Sequence, residues 1–172
     1  MVDHDLILSK ANLVRKHVKR ALEKSDVDIQ SFLNDSDRQD IVLFNLQRAV
    51  QNCIDIAAHI ISDEGYGMPG SNNEMFYMLE ENDYLETQMV EKMVKAVGFR
   101  NLIVHEYGKL DIEEVYAISK NDIKDLLEYL RQYSRRLKSH HNCLVQGERN
   151  RTQGSWRNRE PLANQLRIQT CP

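Results

Sequence analysis

Arg100, His105 and Tyr107 lie within eight residues of one another and are the side chains of this chain best suited to chemistry. An arginine keeps its charge at any working pH and pairs with phosphate through a planar set of N–H donors. A histidine can take up and release a proton near neutral pH, and a tyrosine carries a hydroxyl group on a rigid ring. Together these residue types are suited to cleaving a phosphodiester bond.

These three side chains do not converge if they lie on one regular helix. With Val97 at the centre of the buried stripe, Arg100 and Tyr107 fall about 60° and 80° to one side, at about 100° per residue. His105 falls about 80° to the other side. We therefore expect either that the helix deforms near Val104 or that the working site combines residues from two copies of the chain, as a two-fold dimer allows.

The elements that must position this motif are helices. Apolar residues recur at three- and four-residue steps, and seven Gly and three Pro in 172 residues leave long stretches without turn signals. The pattern predicts an all-α fold, an up-and-down antiparallel bundle of four to five helices. The predicted helices cover about 6–23, 36–62, 71–81, 86–104 and 111–137, the last of them broken near Lys120-Asn121-Asp122.

Charge and periodicity both divide the chain near residue 138. Residues 1–138 hold 18 Lys+Arg and 24 Asp+Glu, a net charge of −6, whereas residues 139–172 hold 5 and 2, a net charge of +3. We predict a helical bundle over 1–138 and a basic, poorly ordered tail of unknown role over 139–172. The acidic bundle lacks the clustered cations of a broad nucleic-acid surface, so any such contact must be local. The alternative is that the acidic body neutralises a cationic partner.

The cysteines and the N-terminus exclude several classes of protein. Cys53 lies on an apolar stripe and is expected to be buried, while Cys143 and Cys171 lack metal-type spacing. Residues 1–5 do not resemble a signal peptide, and no apolar run is long enough to span a membrane. We therefore expect a cytoplasmic protein without disulfides, a zinc site or a membrane segment.

The stretch Arg100-x4-His105-Glu106-Tyr107 resembles the Arg-x4-His-x-Tyr motif of the HEPN superfamily, in the branch of the HepT toxins. Residues 45–60 and 98–105 are similar to the second and fourth helices of that branch, and the resemblance covers about residues 1–138. It implies an all-α bundle, a homodimer, and metal-independent endoribonuclease activity without a cofactor. In such an enzyme His105 would move a proton at the ribose 2′-hydroxyl or the leaving 5′-oxygen, and Arg100 would stabilise charge on the phosphate.

The resemblance also implies a partner and a control point. The chain would be the toxin of a type VII toxin–antitoxin system, neutralised by an MntA-type minimal nucleotidyltransferase that transfers AMP to the motif tyrosine, here Tyr107. AMP on Tyr107 would place anionic phosphate beside Arg100 and so block RNA. The alternative is a non-catalytic helical partner of a nucleotidyltransferase, in which the motif only docks the enzyme. The presence of both Arg100 and His105 favours the nuclease, because a docking surface needs neither.

A second polar row lies on the predicted helix over 36–62. Arg48, Asn52, Asp55 and His59 are separated by four, three and four residues and therefore share one face. The row is expected either to form a hydrogen-bond network that fixes the register of the bundle or to line part of an RNA cleft. Asp55 and His59 lack third and fourth metal ligands nearby, so no metal site is expected. Asn101 is predicted to face the apolar side of its helix, where a buried amide would orient the motif or cross the dimer interface.

Overall fold

The computed structural model describes residues 4–106, 108 and 110–136, and this part of the chain is helical without any strand. Its compact unit is Met1–Ser134, while the predicted tail over 139–172 and Tyr107 lie outside the described residues. None of the described helices is both long and apolar enough to cross a membrane. The helices are α1 (His4–Ser25), α2 (Ile29–Leu33), α3 (Ser36–Glu64), α4 (Asn72–Glu81), α5 (Thr87–His105), α6 (Ile112–Lys120) and α7 (125–136), with a 3₁₀ turn (Asp122–Lys124) between the last two. The predicted all-α fold is confirmed.

Short polar residues set where the helices begin and end. The side chain of Asp35 accepts a hydrogen bond from the backbone N–H of Arg38, at 2.9 Å, and so caps the start of α3. Ser71 does the same for α4 through the N–H of Glu74. At the other end of α3, Gly65 adopts a φ of 71°, a left-handed conformation that glycine adopts without strain. The two predicted helix starts are therefore observed.

Helix α3 is the central element of the bundle. Its 29 residues span about 43 Å at 1.5 Å per residue, and it buries side chains over more than half of its circumference. Tyr129 of α7 donates a hydrogen bond to the backbone carbonyl of Cys53, at 3.2 Å, and Phe76 of α4 packs edge-on against the same ring. Cys53 is fully buried, as predicted, and burial raises the pKa of its thiol. The buried residues of α3 are Val42, Leu43, Asn45, Leu46, Ala49, Val50, Asn52, Cys53, Ile54, Ile56, Ala57, Ile60 and Ile61.

Helix α1 packs antiparallel to α3 along most of its length. Near the start of α1, Lys10 forms an ion pair with Asp55 at 2.6 Å. Further along α1, Nδ1 of His17 lies 2.9 Å from Oδ1 of Asn45. The contact on α3 thus moves toward its start as the contact on α1 moves toward its end, which fixes the register of the two helices.

The short helix α2 lies where the sequence indicated a break. Asp28 caps it by accepting hydrogen bonds from the backbone N–H and the hydroxyl of Ser31. Phe32 is fully buried and packs against the ring of Tyr116 at a centroid distance of 5.2 Å. Five residues are too few to show a helical period, so the sequence pattern does not predict this helix, and only its tertiary contacts explain it. The predicted break in the last helical region is observed, since α6 ends at Lys120.

Candidate active site

Helix α5 carries Arg100 and His105 of the motif at its C-terminal end. Val97 is buried, as predicted for the centre of the stripe. The helix stays regular through His105, and the backbone N–H of Glu106 still donates to the carbonyl of Leu102, at 2.9 Å. There is therefore no deformation before His105. Because Arg100 and His105 are five positions apart on a regular helix, their side chains leave it about 140° apart.

Arg100 is half-buried and incompletely paired. Its Nη1 donates to the side-chain oxygen of Asn101, at 3.1 Å. Its Nε is buried and has no hydrogen-bond partner among the described residues. A buried N–H without an acceptor costs free energy, and such groups are uncommon in native proteins. The guanidinium group therefore retains the capacity to bind an acceptor that this part of the chain does not supply.

His105 is exposed at the end of α5, where it is open to a ligand. Asn101 is also exposed, so its expected burial is not found within one copy of the described chain. Val104 explains the difference: it lies two turns beyond the buried Val97 on the same side of α5, yet 41% of its surface is exposed. The apolar stripe of α5 thus extends beyond the part of this helix against which the other described helices pack. Tyr107 lies outside the described residues.

The polar row on α3 has mixed surroundings. Asn52 is buried and donates to the backbone carbonyl of Arg48, at 2.7 Å, while the side chain of Arg48 is exposed. Asp55 accepts from Lys10 and from Gln51. Partial burial opposes ionisation of Asp55, but these two hydrogen bonds and the charge of Lys10 outweigh it, so its pKa is lowered.

His59 completes the row without joining it to the motif. It is half-buried and close to Asp55, and it contributes to the lowered pKa of that carboxyl. Within the described residues, no hydrogen bond connects the row to Arg100 or His105. The same part of the chain contains no group of three His, Cys, Asp or Glu side chains placed to hold a metal ion.

One arrangement was not anticipated from the sequence. It lies on the α1–α3 seam, the line along which helices α1 and α3 pack against each other. Phe44 is 57% exposed, and the ring of His17 stands edge-on to it at a centroid distance of 6.2 Å. Asn45, the hydrogen-bond partner of His17, is buried. The sequence could have indicated the exposure of Phe44, because its helical phase puts it on the outward face of α3, one turn before Arg48.

Comparison with known proteins identifies the family to which this chain belongs. The family model described as Ribonuclease HepT-like matches residues 14–133. The chain belongs to the HepT-like ribonuclease family. The HepT-like match contains the polar row on α3 and residues 100–107 of the motif, and it ends before the predicted tail. The family expected from the motif is therefore confirmed.

Two relatives of the HepT-like chain are named nucleases. The chain is 31% identical over 127 residues to the mRNA nuclease HepT of Shewanella oneidensis, covering 74% of this chain and 95% of that protein. It is 25% identical over 127 residues to the tRNA nuclease HepT of Aphanizomenon flos-aquae, covering 74% and 86%. Among solved structures, the tri-AMPylated S. oneidensis HEPN toxin in complex with the MNT antitoxin superposes with a TM-score of 0.71 at 30% identity, covering 76% of this chain and 98% of that one.

Proposed function

We propose that this protein is the toxin of a type VII toxin–antitoxin system and acts as an endoribonuclease. Membership of the HepT-like family supports the proposal, as do relatives named as nucleases of messenger and transfer RNA. The observation that carries it is the buried, unpaired Nε of Arg100 at the end of a helix whose last residue is the exposed His105. A guanidinium with free donor capacity and an accessible imidazole are the groups that cleavage of a phosphodiester requires.

The chemistry assigned to these residues needs no metal ion. The ribose 2′-hydroxyl is the nucleophile that RNA itself supplies. His105 takes the proton of this hydroxyl or gives one to the leaving 5′-oxygen. Arg100 donates hydrogen bonds to the phosphate oxygens as negative charge develops on them. The products are then a 2′,3′-cyclic phosphate and a free 5′-hydroxyl.

A complete site needs two copies of the chain in this proposal. Arg100 and His105 leave a regular helix about 140° apart, so within one copy the two side chains start toward different sides of α5. The exposed Val104 and Leu102 lie beside them and offer apolar surface that a second copy can cover. A two-fold axis near the end of α5 would bring Arg100 of one copy toward His105 of the other.

Tyr107 is proposed as the site at which the toxin is switched off. The support is its place in the motif, together with the tri-AMPylated state of the S. oneidensis toxin in its complex with the MNT antitoxin. A cognate minimal nucleotidyltransferase would transfer AMP to the hydroxyl of Tyr107. Each added AMP brings a negatively charged phosphate, which would compete with RNA for Arg100.

The catalytic assignment is tested with the purified full chain, an RNA substrate and excess chelator. We expect wild type to cut the RNA, and His105→Ala and Arg100→Ala to lose at least about 100-fold of the rate, as is typical for loss of a general acid–base group and of a donor that stabilises developing charge, respectively. Arg131→Ala is the matched control, since Arg131 is an exposed arginine on α7 paired with Glu128. Circular dichroism and thermal melting establish that each variant is folded.

Every other outcome would contradict a specific part of the proposal. Cleavage that survives both motif substitutions would contradict the catalytic assignment. Loss of wild-type cleavage on adding chelator would refute the metal-free mechanism alone. A folded wild type that cuts no RNA would favour the non-catalytic docking role. Incubation with the nucleotidyltransferase and ATP, followed by mass analysis, should show AMP adducts on Tyr107 that are absent from Tyr107→Phe.

A further inference from the structure

Charge is strongly segregated along this chain. Helix α1 holds six Lys and Arg against two Asp and Glu. Residues 49–91, which include the second half of α3, α4 and the start of α5, hold nine Asp and Glu and no Lys or Arg. A chain with an acidic total therefore has a cationic helix, and a polyanion would meet it there and not over residues 49–91.

The cations on α1 differ in their pairing. Lys16 and Arg20 are exposed one helical turn apart, and neither forms an ion pair or a side-chain hydrogen bond with another described residue. On the opposite flank, Arg15 donates to Asn12 and Lys19 pairs with Glu23. Lys16 and Arg20 are thus unpaired cations on the outward face of α1, and Arg20 is the nearer of the two to α3.

Helix α3 adds an aromatic ring and a further cation at the same level. His17, which lies between Lys16 and Arg20 in sequence, contacts both Asn45 and the exposed ring of Phe44. Arg48 is exposed one turn beyond Phe44 on the same face, and it too has no described ion pair. An aromatic ring among cations is the arrangement with which proteins bind single-stranded nucleic acid, because a base stacks on the ring while the cations contact phosphates.

The hydrogen bonds of the seam also fix the orientation of His17. Asn45 donates through Nδ2 to the backbone carbonyl of Ile41, at 2.6 Å, so its Oδ1 faces His17. Nδ1 of His17 must then carry the hydrogen that this oxygen accepts, at 2.9 Å. In the neutral imidazole Nε2 is left as an acceptor. It can accept a hydrogen bond from an amino group of a base or from a ribose hydroxyl.

We propose that Lys16, His17, Arg20, Phe44 and Arg48 form a binding track for single-stranded RNA along the α1–α3 seam. Phe44 stacks against one base, His17 accepts a hydrogen bond from the same nucleotide, and the three cations contact neighbouring phosphates. The nature of the ligand rests on the proposed function. The track extends the site beyond the motif on α5, and it accounts for RNA binding by a chain whose net charge is −3.

The alternative occupant of this seam is a second copy of the chain. A two-fold interface sets the same patch of each copy against itself. Here that would bring the unpaired cations of one track against those of the other, and like charges in an interface are unfavourable. Of the two carboxylates that flank the track on α3, Asp55 is engaged by Lys10, and Asp40, one turn before Phe44, also takes part in an interaction. Charge therefore favours an anionic polymer over a second copy.

The track is tested in the His105→Ala background, so that bound RNA is not cut. A fluorescent single-stranded RNA is titrated at several salt concentrations with the double variant Lys16→Gln, Arg20→Gln. Loss of two phosphate contacts should reduce the slope of log affinity against log salt by about 1.4, from about 0.7 per contact. The matched control is Arg15→Gln, Lys19→Gln, which removes the same charge from the opposite flank and should leave the slope unchanged.

Phe44 is tested in the same background. Phe44→Ala should weaken RNA binding about tenfold through loss of stacking, and Phe44→Trp should retain it. Circular dichroism establishes folding, and light scattering follows the oligomeric state of every variant. An equal loss of slope in the two double variants would overturn the track. So would a Phe44→Ala variant that changes oligomeric state but binds RNA with wild-type affinity, because Phe44 then belongs to a protein interface.

Failure of the track and failure of the nuclease give different results. A protein with wild-type His105 that binds RNA through the track but never cuts it refutes the nuclease and leaves the track standing. A protein that cuts RNA, while both double variants bind it equally well, refutes the track and leaves the nuclease standing.

Discussion

The divergence of Arg100 and His105 on α5 predicts how mixed pairs of chains should behave. Five residues of a regular helix separate the two side chains by about 140° around the axis and about 7.5 Å along it, on a cylinder about 10 Å wide. Within one copy the two side chains therefore leave α5 toward different sides. A dimer that joins Arg100 of one copy to His105 of the other has two such sites.

The perturbation is a heterodimer that carries Arg100→Ala in one copy and His105→Ala in the other. One of its two sites then has both residues intact, so it should retain about half of the wild-type rate, although each variant is inactive as a homodimer. The reciprocal heterodimer pairs wild type with a copy that carries both substitutions. It leaves neither site intact and should be inactive.

The assay requires pure heterodimers. The two copies are co-expressed with different affinity tags and purified in tandem, and cleavage of a labelled RNA is followed with enzyme in excess. If each copy instead builds its own site, the two results exchange: the first heterodimer is inactive and the second has about half of the wild-type rate. That reversed pattern would refute the shared site, whatever the absolute rates.

Three further predictions concern the bundle that positions the site. Lys10→Met should destabilise the fold at pH 7, because it removes the ion pair that lowers the pKa of Asp55. The difference from wild type in unfolding free energy should shrink as the pH falls below about 4, as measured by urea unfolding at pH 7 and pH 3. Tyr129→Phe should cost about 1 kcal/mol of unfolding free energy, since one buried hydrogen bond is lost while the ring is kept; an unchanged urea midpoint would contradict this. Cys53 should resist iodoacetamide at pH 8 in the native protein and react fully in urea, as followed by peptide mass analysis, because burial raises its pKa.

The long helices were predictable because several local signals agreed for each of them. Asp35 and Ser71 cap helices that then run with an uninterrupted apolar period, and Gly65 supplies the left-handed residue at the end of α3. No comparable set of local sequence signals predicted the helix α2. Its existence depends on burial of Phe32 against Tyr116, a contact that spans about half of the chain.

The site was less predictable than the fold. Helical phase gave the side of α5 on which Asn101 lies, but phase carries no information on how far the neighbouring elements extend, so its exposure was not foreseen. The pairing of His17 with Asn45 joins residues 28 positions apart on two helices. Spacing within one helix cannot reveal such a pair. It requires the register of α1 on α3, which the structure supplies.

The cationic helix α1 and the acidic residues 49–91 present charges of opposite sign to an approaching polyanion. Such a difference turns a protein in the field of a polyanion before contact, so that at low ionic strength encounters with RNA would begin with α1 foremost and would be faster than the net charge suggests. Added salt would remove this orientation before it removed binding itself. Replacing carboxylates over residues 49–91 with lysines would therefore increase the number of collisions with RNA but lower the fraction that are productive, since the wrong surface would then attract it as well.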